Sequence, residues 1–226
     1  MLILASASPR RRDLLASLGL SFEVEPAEVE EDLQGAPPVR LARRLASAKA
    51  RAVALRRPDA TIIAADTIVA HRGVLLGKPR DAAEAEATLK RLRGRTHRVV
   101  TAVAVLPPAQ TGARYARLRR GGRRRPMVDH AVTSVTMRRY SDAEIAASIA
   151  RGDPFDKAGA YAIQDDRLAP VAAYEGLPAD RRGCYCNVVG LPLWTAARLL
   201  GRAGLDITHI SAADLLPQCA ECPLAP

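Results

Sequence analysis

Apolar and amphipathic stretches divide this chain into a series of short secondary-structure elements. Apolar or alternating runs predict β-strands at 22–24, 61–65, 68–70, 97–106 and 131–137. Apolar positions at helical spacing, with caps or breakers at their ends, predict helices at 9–18, 38–57 and 81–92, one opened by Ser141 and one ending at Leu200. The pattern therefore extends from the first residues to about residue 200.

The long helix between Pro38 and Pro58 is predicted to bury one apolar stripe. That stripe consists of Leu41, Leu45, Ala48, Ala52 and Leu55. Lys49 lies in the middle of the helix, where a lysine usually faces solvent. The pattern alone therefore gives Lys49 little functional weight.

The first helix begins with an unusual concentration of positive charge. Ser8 is a favoured N-cap and Pro9 suits the first helical position, so the arginines 10–12 fall in the first turn. Cations there oppose the partial positive charge of a helix N-terminus. An anion bound at this turn would remove the conflict, because N–H groups and guanidinium groups would converge on its oxygens. We interpret this turn as a phosphate site. The alternative is an arginine-rich composition, since only four of the 34 basic residues are lysine.

Asp66 is the best candidate for a working carboxylate. It lies between the apolar runs 61–65 and 68–70, and burying a carboxylate is costly unless it is paired or bound to a metal. The alternative is an ordinary aspartate at the end of a strand. Further along, Gly77 and Pro79 bracket Lys78, which could offer a point charge to a phosphate.

Three other stretches carry candidate chemistry. The acidic cluster 28–32 is by default a solvated loop, although its carboxylates could hold a divalent cation near a phosphate site. Turn residues 152–159, which include Asp156 and Lys157, lead into a predicted short strand ending at Gln164, whose amide could read the edge of a base. His97, at a strand start, is more often structural than catalytic in such a position. Residues 165–186 are predicted to form an irregular loop.

Composition restricts the classes of protein. With 226 residues, 48% of them hydrophobic, the chain can form a globular core, and no apolar run approaches the ~20 residues that span a bilayer. We therefore expect a cytoplasmic protein without a membrane partner. The net charge of +10 should attract polyanions, but two Phe, five Tyr and one Trp are few for stacking on bases.

Two regions lie outside the regular pattern. Residues 107–126 are rich in arginine, proline and glycine and are expected to form a solvated loop, with contact to a polyanion as the alternative use. The four cysteines form a Cys-x-Cys pair at 184 and 186 and a Cys-x-x-Cys pair at 219 and 222. Free thiols or a local disulfide in the tail are favoured over a zinc site, because the gap between the pairs is long and a Cys-x-Cys pair is unusual for zinc.

Six motifs, in order, resemble those of the Maf family of nucleoside triphosphate pyrophosphatases, once described as septum-formation inhibitors. They are Ser6-Ala-Ser-Pro-Arg-Arg11, Ala65-Asp-Thr67, Gly77-Lys-Pro79, Thr96-His-x-Val-x-Thr101, Asp156-Lys-Ala-Gly-x-Tyr-x-Ile-Gln164 and Val188-Val-Gly-Leu-Pro192. The resemblance covers about residues 2–200. It implies a single domain over residues 1–210, in which 107–126 is a loop insertion and 211–226 a peripheral tail.

The resemblance also implies a fold and a reaction. The fold would be α/β, related to the inosine triphosphate pyrophosphatases, with a mixed twisted sheet flanked by helices, two lobes around a deep cleft and often a homodimer. The reaction would cleave a nucleoside triphosphate between its α- and β-phosphates with Mg²⁺, Mn²⁺ or Co²⁺, in a house-cleaning or cell-division-linked role. A nucleic-acid-binding regulator that uses the basic surface is the alternative, and we consider nucleic acid an unlikely partner.

Site residues follow from the matched motifs. Asp66 matches the family's proton acceptor and is a tentative metal ligand together with Glu31. Phosphate contacts are expected from Ser8, Arg11, Lys49, Lys78 and Lys157. Arg10, Thr67 and Gln164 match the positions that distinguish the branch acting on dTTP and UTP from the branch acting on 7-methyl-GTP. CTP and modified pyrimidine nucleotides are further candidate substrates. The chain departs from the family pattern at Asp165-Asp166, where a glycine is usual, and through 165–186.

Overall fold

A mixed β-sheet forms the centre of the molecule. The computed structural model describes residues 1–29, 36–109, 119–120, 123–176, 183–210, 216–219 and 222. Its strands are β1 (Leu2–Leu4), β2 (Glu23–Val24), β3 (Thr61–His71), β4 (Val74–Leu76), β5 (Thr96–Leu106), β6 (Arg119–Arg120), β7 (Arg123–Arg124), β8 (Met127–Met137) and β9 (Val171–Glu175). Its α-helices are α1 (Pro9–Ala16), α2 (Pro38–Arg56), α3 (Ala82–Leu92), α4 (Asp142–Ala150), α5 (Tyr185–Val189) and α6 (Leu193–Arg202).

The sheet contains both parallel and antiparallel strand pairs. Its order is β2-β1-β3-β5-β8-β9, and β4 pairs with the distal part of β3. β1 runs parallel to β2 and β3, whereas β3, β5, β8 and β9 pair antiparallel in sequence. The expected α/β fold with a mixed sheet flanked by helices is therefore confirmed.

Helices pack on the sheet in three apolar clusters. The first cluster contains residues of β1, α1, α5 and α6. The second contains α2 and the residues of β1, β3 and β5 on the face of the sheet that α2 covers. The third cluster contains α3, the start of α4 and the distal part of β3. On one face of β3, Thr67 lies between Ala65 of the first cluster and Val69 of the third, whereas Asp66, on the other face, lies within the second cluster.

Several local predictions are confirmed by capping geometry. The Ser8 hydroxyl accepts a hydrogen bond from the backbone of Arg11 at 3.4 Å, and Pro9 is the first residue of α1. Asp81 caps α3, and Ser141 and Glu144 form a capping box at the start of α4. These short-range signals fixed where the helices begin.

The predicted buried stripe of α2 is confirmed in its first half and wrong at its end. Leu41 and Leu45 are buried, but Leu55 is 85% exposed, whereas Ala46, Ala50 and Val53 are completely buried. The alanines allow close approach of α2 to the sheet, so they share the contact face with Leu41 and Leu45. Lys49 consequently lies on the inner side of the helix.

Three other predictions differ from the structure. Residues 161–164 form no strand: a 3₁₀ turn at Ala158–Ala160 precedes them, and Gln164 lies in a turn. The region 165–186 contains β9, which adds to the edge of the sheet through β8. Within the arginine-rich segment, β6 and β7 pair with each other, while residues 110–118 and 121–122 lie outside the described residues.

The tail packs closer to the body than a peripheral segment would. Leu216, Cys219 and Cys222 belong to the first apolar cluster, next to α5 and α6. No helix in the described part of the chain is long and apolar enough to cross a membrane.

Candidate active site

An open cavity of about 140 Å³ lies where β3 passes between the packed regions. Every predicted site residue in the described part of the chain lines it, namely Ser8, Arg10, Arg11, Lys49, Asp66, Thr67, Lys78, Lys157 and Gln164. Glu31, the other predicted metal ligand, lies outside the described residues. The fold thus brings together side chains that are up to about 150 residues apart in the sequence.

Asp66 and Lys49 form a buried ion pair at the base of this cavity. The Lys49 Nζ donates a hydrogen bond to the Asp66 Oδ1 at 2.6 Å, and the two side chains are 12% and 6% exposed. β3 places Asp66 on the side of the sheet that α2 covers, and the inward orientation of α2 brings Lys49 to it. A buried carboxylate is tolerated only with such a partner.

Arg11 is held in position by three acceptors. Its Nε donates to the backbone carbonyl of Gly190 at 2.9 Å, its Nη1 to the Ser6 hydroxyl at 3.3 Å and its Nη2 to the Thr67 hydroxyl at 3.0 Å. Gly190 has φ +129, a conformation that strongly favours glycine. The guanidinium group therefore has a fixed orientation at the cavity wall.

A hydrogen-bonded network continues from Arg11 into the core. The Thr67 and Thr101 hydroxyls are 2.9 Å apart, and the Thr101 hydroxyl donates to the backbone carbonyl of Asn187 at 2.7 Å. The completely buried Asn187 side chain accepts from the Thr101 backbone N–H and donates to Val99 and Thr133. Thr67 therefore helps to hold Arg11, in addition to facing the cavity.

Asp156 holds two of the cavity's cationic side chains. Its Oδ2 accepts from the Arg10 Nη1 at 2.7 Å, and its Oδ1 accepts from the Lys157 Nζ. Burial raises the pKa of the Asp156 carboxyl, but the hydrogen bonds from Lys157 and Arg10 outweigh burial and keep the pKa below its ordinary value. Asp156 is therefore ionised at neutral pH.

Not every predicted group is buried. Lys78 and Gln164 are exposed at the rim of the cavity. Arg12, the third arginine of α1, is also exposed and pairs with Asp13 at 3.3 Å outside the cavity. The predicted cluster of arginines at the helix start therefore contributes Arg10 and Arg11, but not Arg12, to the cavity.

His97 is buried next to the cavity. Its Nε2 lies 2.7 Å from the hydroxyl of Tyr161, whose side chain lines the cavity. Burial, with a smaller contribution from nearby His71, lowers the pKa of His97 to about 4. A histidine that is neutral at physiological pH and bonded to a tyrosine supports the wall of the cavity, as expected for a structural role.

The charges of the cavity suit an anion. Among the described residues that line it, Arg10, Arg11, Lys49, Lys78 and Lys157 are cationic, and only Asp66 and Asp156 are acidic. A triphosphate offers the oxygens that guanidinium and ammonium groups bind best. The single buried carboxylate at the base could accept a proton from a water molecule attacking such a ligand.

The sequence indicated the stretch that contains Asp156 but gave this residue no role, and it did not indicate Asn187 as a contributor to the site. Asp156 lies beside Lys157 in a turn that precedes Gly159, but its contact with Arg10 spans 146 positions. Asn187 is a polar residue within the run Cys186-Asn-Val-Val189, and a polar residue in an apolar run was the available signal. Neither contact could be deduced from local spacing.

The amino-acid sequence is similar to those of several proteins named dTTP/UTP pyrophosphatase. The chain is 54% identical to a dTTP/UTP pyrophosphatase of Thermomicrobium roseum, over 100% of this chain and 94% of that protein. It is 44% identical to a dTTP/UTP pyrophosphatase of Moorella thermoacetica, over 91% of this chain and 96% of that protein. A protein of the same name from Deinococcus radiodurans is 43% identical, over 90% of this chain and 93% of that protein.

Solved structures give weaker overlaps. A HAM1 protein from Coxiella burnetii has a TM-score of 0.41 and 17% identity, over 89% of this chain and 93% of that chain. A nucleoside-triphosphatase / dITP/XTP pyrophosphatase from Mycobacterium abscessus has a TM-score of 0.36 and 17% identity, over 62% of this chain and 75% of that chain. The assignment of a family does not depend on these overlaps. The model of the Maf-like proteins matches residues 1–203, which contain every residue of the cavity, and the chain therefore belongs to the Maf family.

Proposed function

We propose that this protein hydrolyses dTTP and UTP to the nucleoside monophosphate and pyrophosphate. The observation that carries the proposal is the convergence of five cationic side chains on a single cavity, where one of them, Lys49, forms a buried ion pair with Asp66. Similarity over the whole chain to proteins named dTTP/UTP pyrophosphatase supports the choice of nucleotide. CTP and modified pyrimidine nucleotides belong to the same substrate class.

The cationic side chains bind and orient the triphosphate. Arg11 is fixed by Gly190, Ser6 and Thr67, so it presents its guanidinium group with little loss of conformational freedom on binding. Arg10 and Lys157 are held by Asp156 and would exchange part of that contact for phosphate oxygens. Lys78 at the rim and the Ser8 hydroxyl at the helix start complete the proposed phosphate contacts.

Asp66 is the proposed proton acceptor. A water molecule attacks phosphorus, its proton passes to the Asp66 carboxylate, and the bond between the α- and β-phosphates breaks with release of pyrophosphate. Lys49 orients that carboxylate through its 2.6 Å hydrogen bond. Positioning and neutralisation of charge account for most of the expected acceleration.

A divalent cation is part of the proposal. The described residues contain no group of three or more His, Cys, Asp or Glu arranged for a metal ion. Mg²⁺ commonly needs only one or two carboxylates besides the phosphates of its substrate, and the Asp66 carboxylate fits that arrangement. Mg²⁺, Mn²⁺ or Co²⁺ held by Asp66, with Glu31 as a second candidate, would neutralise phosphate charge.

Recognition of the base is assigned to the rim. Gln164 is exposed there, and its amide provides one donor group and one acceptor group for the edge of a pyrimidine. Arg10 and Thr67 are the other two residues proposed to select the nucleotide. Their place in the lining of the cavity supports this role.

The test is pyrophosphate release by the purified protein with Mg²⁺ and each nucleoside triphosphate. We expect release from dTTP and UTP, and a fall of at least about a hundredfold in Asp66→Asn. Asp59→Asn is the matched control, because Asp59 is exposed and does not line the cavity. The proposal fails if the protein leaves every nucleoside triphosphate intact with both Mg²⁺ and Mn²⁺.

Location, assembly and a second function remain predictions. We place the protein in the cytoplasm, where nucleoside triphosphates are available, and expect a homodimer, which sedimentation can test. The alternative of a nucleic-acid-binding regulator depends on residues 107–126, a segment only partly described. Deleting residues 112–125 should abolish a salt-sensitive affinity for DNA or RNA if that alternative holds.

A further inference from the structure

All four cysteines of the chain meet in one buried cluster. Cys184 and Cys186 lie at the start of α5, and Cys219 and Cys222 lie in the tail, each at most 8% exposed. The Sγ atoms of Cys186 and Cys219 are 3.1 Å apart. None of the four is in a disulfide. The structure thus joins the two cysteine pairs that the sequence separates by more than thirty residues.

The thiols of this cluster contact one another in two pairs. Cys184 is hydrogen-bonded to Cys222, and Cys186 to Cys219. All four side chains belong to the first apolar cluster. They differ in this from scattered buried cysteines, which act as small apolar residues.

We propose that Cys184, Cys186, Cys219 and Cys222 bind one zinc ion in a structural site separate from the catalytic cavity. Zinc favours four thiolates in a closed tetrahedral arrangement with Zn–S distances of about 2.3 Å. The four thiols are buried and come from two segments. Cys219 and Cys222 have the Cys-x-x-Cys spacing typical of zinc ligands, and Cys184 and Cys186 form a shorter Cys-x-Cys pair. Binding releases the four thiol protons to solvent and leaves four Zn–S bonds, with no change of oxidation state.

Seating the ion requires a small adjustment of side chains. No three described His, Cys, Asp or Glu side chains are already in a metal-binding arrangement. In a tetrahedral site the sulfur atoms lie about 3.8 Å apart, given the usual Zn–S length. The 3.1 Å between Cys186 and Cys219 is shorter than this separation and longer than a disulfide bond of about 2.05 Å. Rotation of the thiol groups would have to lengthen this separation as the ion binds.

The proposed site would anchor the tail to α5. The Cys186 carbonyl accepts hydrogen bonds from the backbone N–H groups of Gly190 and Leu191. Gly190 in turn holds Arg11, so the cysteine cluster supports the back of the helix that lines the cavity. Loss of zinc should therefore release Cys219 and Cys222 from α5 and lower the melting temperature, whatever the enzyme's substrate.

Elemental analysis of the full chain, purified under reducing conditions without added chelator, tests the proposal. We expect one zinc ion per chain in the wild type and in Asp66→Asn, which lacks the proposed catalytic carboxylate but keeps all four thiols. Cys219→Ser and Cys222→Ser should lose the bound zinc. Failure of the proposed function would leave this result unchanged, because the readout is metal content.

Two further measurements keep the test independent of how the variants fold. Wild-type protein stripped of metal should, on titration with Co²⁺, develop the visible bands of tetrahedral thiolate coordination. Its melting temperature should fall on stripping and recover with Zn²⁺. Wild-type protein without zinc, whether its four thiols are free or joined in two disulfides, would overturn the proposal, as would iron in place of zinc.

Discussion

Asp156 has a double effect on the binding of an anion. It holds Arg10 and Lys157 at the cavity, and its hydrogen bonds keep its own pKa below the ordinary value. Because two cations share one carboxylate, each retains donors for a phosphate oxygen. The carboxylate therefore orients both side chains before a ligand binds, but it also competes with the ligand for their hydrogen bonds.

His97 shows how burial of one residue affects the whole protein's response to pH. Its side chain is 2% exposed, it contacts Tyr161, and its pKa falls from 6.5 to about 4. The folded state therefore binds this proton more weakly than the unfolded state does. The stabilisation from neutral His97 is fully present above pH 6.5 and is lost as the pH falls through the range from 6.5 to about 4.

We predict that the free energy of unfolding decreases by about 3 kcal/mol from this residue between pH 6.5 and pH 4. Urea unfolding at a series of pH values measures the decrease. In His97→Asn the slope over this range should be smaller, because the substituted side chain does not titrate. An identical slope in the two proteins would contradict the assignment, even if the variant is less stable at every pH.

At the scale of the helix, α2 explains why Lys49 was underestimated. The sequence predicted the helix and its ends, because Pro38 and Pro58 bracket it, but the predicted stripe did not include Ala46 or Ala50. The structure buries these two alanines as well as the predicted Leu41 and Leu45, and it exposes Leu55. Small side chains define a close contact only when the opposing sheet is known, so the orientation of Lys49 could not be predicted from the pattern.

This orientation predicts that two substitutions on α2 change the free energy of unfolding by different amounts. Ala46→Leu adds bulk to a completely buried position and should lower the free energy of unfolding by about 2 kcal/mol. It should also lower the rate of pyrophosphate release, because α2 carries Lys49 to Asp66. Leu55→Ala, at an exposed position, should change stability by no more than about 0.5 kcal/mol.

Urea unfolding and the rate at saturating UTP measure both effects. If Leu55→Ala is the destabilising change and Ala46→Leu is neutral, the helix faces the other way. If Ala46→Leu lowers stability but not the rate, the position of α2 does not control the Lys49–Asp66 pair.

Elements defined by distant partners were the ones that the sequence did not predict. The segment that forms β9 was expected to be irregular. Its pairing with β8 joins residues about forty positions apart, so the local sequence could not indicate it. The expected strand at 161–164 is a turn, since Gly159 donates its N–H to the Gly77 carbonyl and directs the chain to the cavity instead. Capping motifs, by contrast, act within four residues and were predicted correctly.

At the scale of the whole molecule, nine predicted residues lie around one cavity, and all of them except Lys49 belong to the ordered motifs. The sequence could give this set because each motif contributes a short, recognisable segment to the wall. It could not give the pairing of Arg10 with Asp156 or the convergence of the four cysteines, since both depend on how distant segments pack. The sequence therefore identified the chemical groups of the site but not the contacts between distant segments.

The excess of positive charge in the cavity leads to a prediction about stability. With five cations against two carboxylates among its described lining residues, the folded protein without a ligand carries repulsion that a polyanion would relieve. A UTP analogue with an imido group between the α- and β-phosphates resists the proposed cleavage and provides such a polyanion. At a free concentration of one hundred times its Kd, it should stabilise the folded state by about 2.7 kcal/mol.

Thermal unfolding with and without the analogue measures this stabilisation, which corresponds to a rise of roughly 5–10 °C for a chain of this size. Thr67 and Gly190 fix the guanidinium group of Arg11 at the cavity wall. Arg11→Gln removes this group, so it should weaken the binding of the analogue and reduce the rise in melting temperature at the same concentration. Arg40→Gln is the matched control, since Arg40 is exposed and does not line the cavity. An equal rise in both variants would show that the analogue binds elsewhere on this basic surface, and that charge alone, without the geometry of the cavity, accounts for its binding.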